Sequence, residues 1–182
     1  MNQCSKDLAN GIAETGKPCM GRRNFLLAGG SLVLLSTLPG FASAEQAIFK
    51  QFERKKIASL SALKNDVPVD FSYPFEDFGS TNFLVKLGKT AGGGVGTEKD
   101  IVAFNSFCTH MGGPLMGTYK AQHKAMGPCP LHLTTFDLTR HGMVIAGHAT
   151  ETLPQIMLEV VGDDIYATGV IGLIYGRFDN LA

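Results

Sequence analysis

Two short cysteine–histidine loops constrain this chain more than anything else in it. The first reads Cys108-Thr109-His110-Met111-Gly112-Gly113 and the second Gly127-Pro128-Cys129-Pro130-Leu131-His132. One is C-x-H, the other C-x-x-H, and Cys129 stands nineteen positions after His110. Each loop offers one thiolate and one imidazole from a backbone shaped by Gly and Pro. A binuclear [2Fe–2S] centre with mixed ligands needs this asymmetric set, two Cys on one iron and two His on the other. Neutral imidazole in place of thiolate removes negative charge from the cluster, which raises its potential. A single tetrahedral zinc is the competing reading, but structural zinc sites usually pair C-x(2–4)-C with H-x(3–5)-H, and these loops match that pattern poorly. Four unrelated core residues is the blandest alternative. The donor set favours the cluster, with Cys108, His110, Cys129 and His132 as a complete ligand set.

The other histidines have weaker claims. His123 falls in a polar loop and His141 in the turn Arg140-His141-Gly142, and both read as solvated. His148, in the stretch Gly147–Pro154, is the candidate neighbour of the cluster. A chain of 182 residues is long enough for one domain with a proper core. Lys plus Arg balance Asp plus Glu at sixteen each, and no basic run or aromatic–basic interleaving occurs. Nucleic acid is therefore not an expected partner. No nucleophile–base pair or phosphate loop is visible. Gly92-Gly93-Gly94-Val95-Gly96 lacks the Gly-Lys-Ser/Thr ending of a phosphate loop and reads as a flexible hairpin connection.

The N-terminus reads as an address. Arg22-Arg23 precede a short apolar run to Leu38, and Ala42-Ser43-Ala44 offers a cleavage site. That is a twin-arginine export signal, residues 1–44, with cleavage expected after Ala44 and retention as an anchor the alternative. The apolar run is short for a bilayer span, which needs roughly twenty residues. This route carries proteins already folded, as a cluster assembled in the cytoplasm requires, so the expected location is the periplasm. Cleavage would remove four basic and two acidic residues and leave the chain acidic by two. Cys4 and Cys19 would go too, leaving only the two proposed ligand cysteines.

Beyond the signal, residues 45–66 read as a polar leader with a helical look at Ile57, Leu60 and Leu63, and residues 67–182 as the iron–sulfur domain. Val67, Val69, Phe71 and Tyr73 alternate on one face of a strand. Asn82–Leu87, Ile101–Phe107, Thr135–Leu138, Met143–Ala146, Gln155–Val161, Ile165–Val170 and Gly172–Arg177 follow as short β-like runs. Gly162-Asp163-Asp164 marks a hairpin. Many short strands at this spacing predict an all-β sandwich or barrel. A small cluster-binding subdomain, about 107–153, would carry the ligand loops.

The two loops resemble those of the Rieske family, and the stretch from about Val67 to Arg177 resembles the small subunit of arsenite oxidase. The supporting segments are Phe71-Ser72-Tyr73-Pro74, Gly93–Gly96, Asp100–Ala103, Gly147–Pro154 and Gly172–Arg177. The Rieske subunit of iodate reductase is a close relative of that group. The resemblance implies that Cys108 and Cys129 hold the inner iron, and His110 and His132 the outer one. It also implies that Gly147–Pro154, with His148 and Pro154, covers the cluster as a third loop. It implies a large molybdenum-containing catalytic partner and a soluble carrier, a cytochrome c or a cupredoxin. Electrons would run outward in an arsenite oxidase and inward in an iodate reductase. A quinol–cytochrome c reductase type of Rieske protein is the further alternative.

Departures from the pattern are informative. Many family members bridge the two loops with an extra disulfide, at positions that here are Gly113 and Leu131. High-potential quinol-oxidising members place Ser and Tyr hydroxyls beside the cluster, where this chain has Thr134 and Phe136. One donor is missing, so the expected potential lies in the lower or middle part of the roughly −150 to +300 mV Rieske range.

Overall fold

The computed structural model describes residues 52–181, so the twin-arginine segment lies outside the described residues. The chain is nearly all β. A six-stranded antiparallel sheet holds, in spatial order, β1 (Lys55–Ser59), β10 (Asp164–Ile171), β9 (Gln155–Val161), β4 (Ile101–Asn105), β3 (Thr81–Lys86) and β2 (Val69–Ser72). A smaller antiparallel sheet runs β5 (Tyr119–Lys120), β6 (Ala125–Met126), β7 (Thr135–Asp137) and β8 (Met143–Ala146). Its strands fall within residues 107–153, the stretch expected to carry the ligand loops.

The central strands are apolar on both faces because both faces are covered. Phe83 and Val85 of β3, with Val102 and Phe104 of β4, join Met126, Phe136, Leu138 and Leu115 in one core under the small sheet. Their alternates Leu84, Ile101 and Ala103 join Tyr73, Ile156, Ile165 and Ala167 in a second core on the other side. Phe83 pairs with Phe104 across the strands, ring centroids 6.1 Å apart. On β9 the side chains alternate, with Ile156, Leu158 and Val160 facing inward and Met157, Glu159 and Val161 facing out.

Three expectations are corrected. In the stretch expected as a helical leader, the described residues 52–66 form no α-helix: Lys55–Ser59 is an edge strand paired with β10, followed by a 3-10 turn at Leu60–Ala62. Ile57, Leu60 and Leu63 pack on the second core, and that tertiary pairing overrides a spacing that equally suits a short strand and a turn. Gly172–Arg177 forms no strand and runs as bends and a turn. The glycine-rich connection does make a hairpin between β3 and β4, but it is pinned. Gly92 donates to the Thr139 carbonyl at 2.9 Å and accepts from Gln155 Nε2 at 2.8 Å. His141, exposed in its turn as expected, also bonds Gln155 Oε1 through Nδ1 at 2.8 Å, and its ring lies against Gly92, where a Cβ would stand 2.4 Å from Nε2.

Asp66 ties the two sheets together. Its carboxylate accepts from Lys124 Nζ at 2.7 and 2.8 Å and from the Tyr119 hydroxyl at 2.6 Å. Those bonds hold its pKa below the ordinary 3.8, against the opposing effect of burial. A depressed carboxylate stabilises the fold above its unfolded pKa, and that contribution is lost as pH falls through the folded value. Asp66→Asn is expected to cost about 1–2 kcal/mol at pH 7. Urea melts should show the native and variant curves converging as pH falls from about 5 through the lowered folded pKa.

Candidate metal centre

Both ligand loops are built on the same hydrogen-bond frame. The first starts where β4 ends. Buried Asn105 donates through Nδ2 to Gly79 O, Thr81 O and Asn82 Oδ1, and its own Oδ1 accepts from Phe107 N at 3.1 Å. This turns the chain out of the sheet one residue before Cys108. Cys108 N then donates to Gly113 O at 2.9 Å, and Gly112 N donates back to Cys108 O at 2.8 Å. In the second loop Cys129 N donates to Thr134 O at 2.8 Å, and Leu133 N donates to Cys129 O at 2.9 Å. The offsets are identical, and in both loops the fourth residue after Cys is left-handed: Gly112 at φ +67° and Leu133 at φ +62°. Only the histidine differs, second after Cys108 and third after Cys129.

The donors meet as two pairs. Cys108 and Cys129 are free thiols, 1% and 2% exposed, set in the first core beside Leu115, Met126, Phe136 and Leu153. His110 is half-buried and His132 exposed, with ring centroids 4.7 Å apart and planes at 85°. Sulfur thus lies inside and nitrogen outside. Burial pushes the Cys108 thiol pKa up, and the neighbouring Cys129 thiol pushes it the same way. The His110 backbone N–H and the Thr134 side chain, both hydrogen-bonded to the Cys108 sulfur, pull it down. Cys108, buried beside a second sulfur, is a poor thiolate alone, and metal charge is what favours its ionised form.

A bridged iron pair fits this donor set. Among the described residues no three His, Cys, Asp or Glu gather around a single point as one ion would require. A sulfur pair behind an imidazole pair matches two irons, each with its own two ligands. Cys108 and Cys129 would hold the inner iron, His110 and His132 the outer. The loops meet directly at Gly113, where a Cβ would stand 2.5 Å from Cys129 Sγ and 3.1 Å from Leu131 Cγ. Apolar contact thus occupies the place where a bridge between the loops would run.

The neighbouring residues fall differently. Thr134 is fully buried, and its hydroxyl accepts from His148 N at 3.2 Å while standing beside the Cys108 sulfur. Phe136 is fully buried in β7 and belongs to the first core. The His148 ring lies 5.7 Å from that of His110 and 6.5 Å from that of His132, so three imidazoles share one exposed edge. Pro154 is buried at the entry to β9, its carbonyl accepting from Asn105 N at 2.8 Å. The third loop is joined to the first by Thr109 Oγ1 donating to Glu151 O at 2.9 Å. His123 is exposed in the turn between β5 and β6. Sequence reasoning missed Tyr175, whose ring lies on Gly112; its only signal was a place in the C-terminal segment of the family resemblance.

Paired strands, two framed loops and a sulfur-in, nitrogen-out donor set define a Rieske-type electron-transfer protein that carries a [2Fe–2S] cluster. The chain belongs to the Rieske family: the profile of the Rieske [2Fe-2S] domain matches residues 60–157. Over 168 residues the chain is 64% identical to the iodate reductase subunit IdrB of Pseudomonas sp. (strain SCT), covering 91% of this chain and 86% of that one. The same identity holds over 167 residues with the iodate reductase subunit IdrB of Denitromonas iodatirespirans, covering 91% and 89%. A cytochrome bc1 complex Rieske iron-sulfur subunit from Streptomyces lividans is 39% identical over 64 residues, 35% of this chain and 36% of that one. Among solved structures, the soluble domain of the Rieske protein II (soxF) from Sulfolobus acidocaldarius shares the fold. Its TM-score is 0.60 at 25% identity, covering 70% of this chain and 83% of that chain.

Proposed function

We propose that this chain is the electron-transfer subunit of a periplasmic iodate reductase, exported folded by the twin-arginine route. The observation that carries this reading is the 64% identity, across nine-tenths of the chain, to iodate reductase subunits from two organisms. The sequence alone put arsenite oxidase first, and the similarity favours its stated alternative. When bound, the cluster supplies one-electron transfer. The chain's own residues supply the rest. Core packing around Cys108 and Cys129 keeps water from the sulfur side, and the exposed edge of His110, His132 and His148 leaves one face open to partners. Met111, Leu131 and Leu133, all more than half exposed, surround that face with apolar surface.

On this reading a molybdenum-containing catalytic subunit receives electrons from this chain, and a soluble cytochrome c or cupredoxin delivers them. The test is to purify the native complex, reduce it with dithionite, remove the excess and add iodate. Reoxidation of the Rieske signal by iodate supports the assignment. A complex whose Rieske signal is reduced by arsenite and left unchanged by iodate would return the assignment to arsenite oxidase.

A further inference from the structure

The C-terminal segment Gly172–Leu181 forms no strand, yet it is firmly held. Ile174 is fully buried, and its N–H donates to Asn180 Oδ1 at 3.1 Å while Asn180 Nδ2 donates to Gly172 O at 2.7 Å. Arg177 reaches back to the connection between β2 and β3. It donates to the Asp77 carboxylate and, at 2.9 Å, to Ser80 Oγ, and its guanidinium carbon lies 4.8 Å from the Phe75 ring centroid. Between these anchors Tyr175 turns its ring onto the first ligand loop. A Cβ on Gly112 would stand 2.5 Å from both Cδ1 and Cε1 of that ring.

The next residue, Gly113, meets Leu131 of the second loop. Two successive glycines are thus covered by side chains from different segments, one from the tail and one from the opposite loop. Phe78, in the connection that anchors Arg177, packs its ring 4.7 Å from Phe107, the residue before Cys108. Among the described residues no disulfide joins the ligand loops, since both cysteines are free. Restraint on the first loop from outside comes from the Thr109–Glu151 hydrogen bond and from packing, and the tail supplies packing at Gly112.

We infer that Tyr175 is a positioning residue for the cluster. Its ring, anchored through Arg177 and Asn180, presses the first ligand loop toward the second, fixes His110 relative to His132, and so governs the potential and retention of the cluster. This rests on the [2Fe–2S] site and is independent of which substrate the complex reduces.

The test uses the cluster-loaded full chain with Tyr175→Ala and Tyr175→Phe. The readouts are midpoint potential, the reduced-state paramagnetic spectrum, the rate of iron loss to a chelator, and thermal melting by circular dichroism. Tyr175→Ala is expected to lose iron about tenfold faster and to shift both the potential and the spectrum. Tyr175→Phe, which keeps the ring, is expected to match the native protein in all of these. An iron-free Tyr175→Ala beside a loaded Tyr175→Phe supports the inference equally. Native potential and spectrum in Tyr175→Ala overturn the inference, even if melting falls. So does a Tyr175→Phe as perturbed as the alanine variant, because the packing of the ring would then not be what matters. A failure of iodate to reoxidise the complex leaves every one of these outcomes readable.

Discussion

Cys129→Ala is expected to yield a folded but colourless protein, with iron falling from about two atoms per chain to none. The thiol sits in a packed core, and among the described residues the only other cysteine is its proposed partner Cys108, so no other described thiol can replace it. The side chain lost is small, so the direct packing cost is on the order of 1 kcal/mol. The larger cost is the lost link between two loops that no disulfide joins, of the kind that typically contributes about 2–4 kcal/mol. The variant should therefore melt well below the loaded native protein and close to the native protein stripped of iron. Iron analysis with thermal melting of all three samples checks this. Full iron content in Cys129→Ala would remove the sulfur pair from the account of the site.

Gly147→Ala is the second large effect. Gly147 sits just after β8 at φ +97°, with its hydrogen side pressed onto the second ligand loop. A Cβ there would stand 2.3 Å from Thr134 Cα and 2.7 Å from Thr134 N, contacts with backbone that no rotamer change relieves. Left-handed strain of about 1 kcal/mol adds to an overpacking cost of about 1–3 kcal/mol, so the expected loss is roughly 2–4 kcal/mol. Melting should fall by about 10 °C. Because the clash falls two residues beyond His132, cluster loading should fall as well. Gly162→Ala is the matched control: φ is +62° with nothing within 4 Å of the added carbon, so only the strain remains. Equal melting temperatures for the two variants would show that the close approach at Thr134 carries no weight.

Much of this was legible in the chain itself. The spacing of Cys108, His110, Cys129 and His132 picks them out as candidate ligands, and the structure brings the two sulfurs together and the two rings together. The strands β9 and β10 are legible because their alternation is local, and β3 and β4 because a short apolar run between turn signals reads as a strand buried on both faces. What was hidden depends on partners far along the chain. Lys55–Ser59 becomes a strand only because β10 offers it an edge. The common frame of the two loops was masked by Leu133, an exposed leucine holding a left-handed backbone that sequence rules reserve for glycine. His141 reads as a turn residue in water and is one, but its hold on Gly92, nearly fifty positions back, was hidden. Tyr175 lies in a segment with strand-like composition and no strand, and its role depends entirely on Gly112 having no side chain.

The way β3 and β4 wall both interiors has a consequence for durability. The thiols do not line a detachable cap; they belong to the same packed mass as Phe83 and Phe104, whose strands also back onto Ile156 and Ile165. Heat, acid or a strong chelator therefore works against one cooperative object. Such a subunit reaches its full stability only with iron in place, which suits the folded export proposed for it.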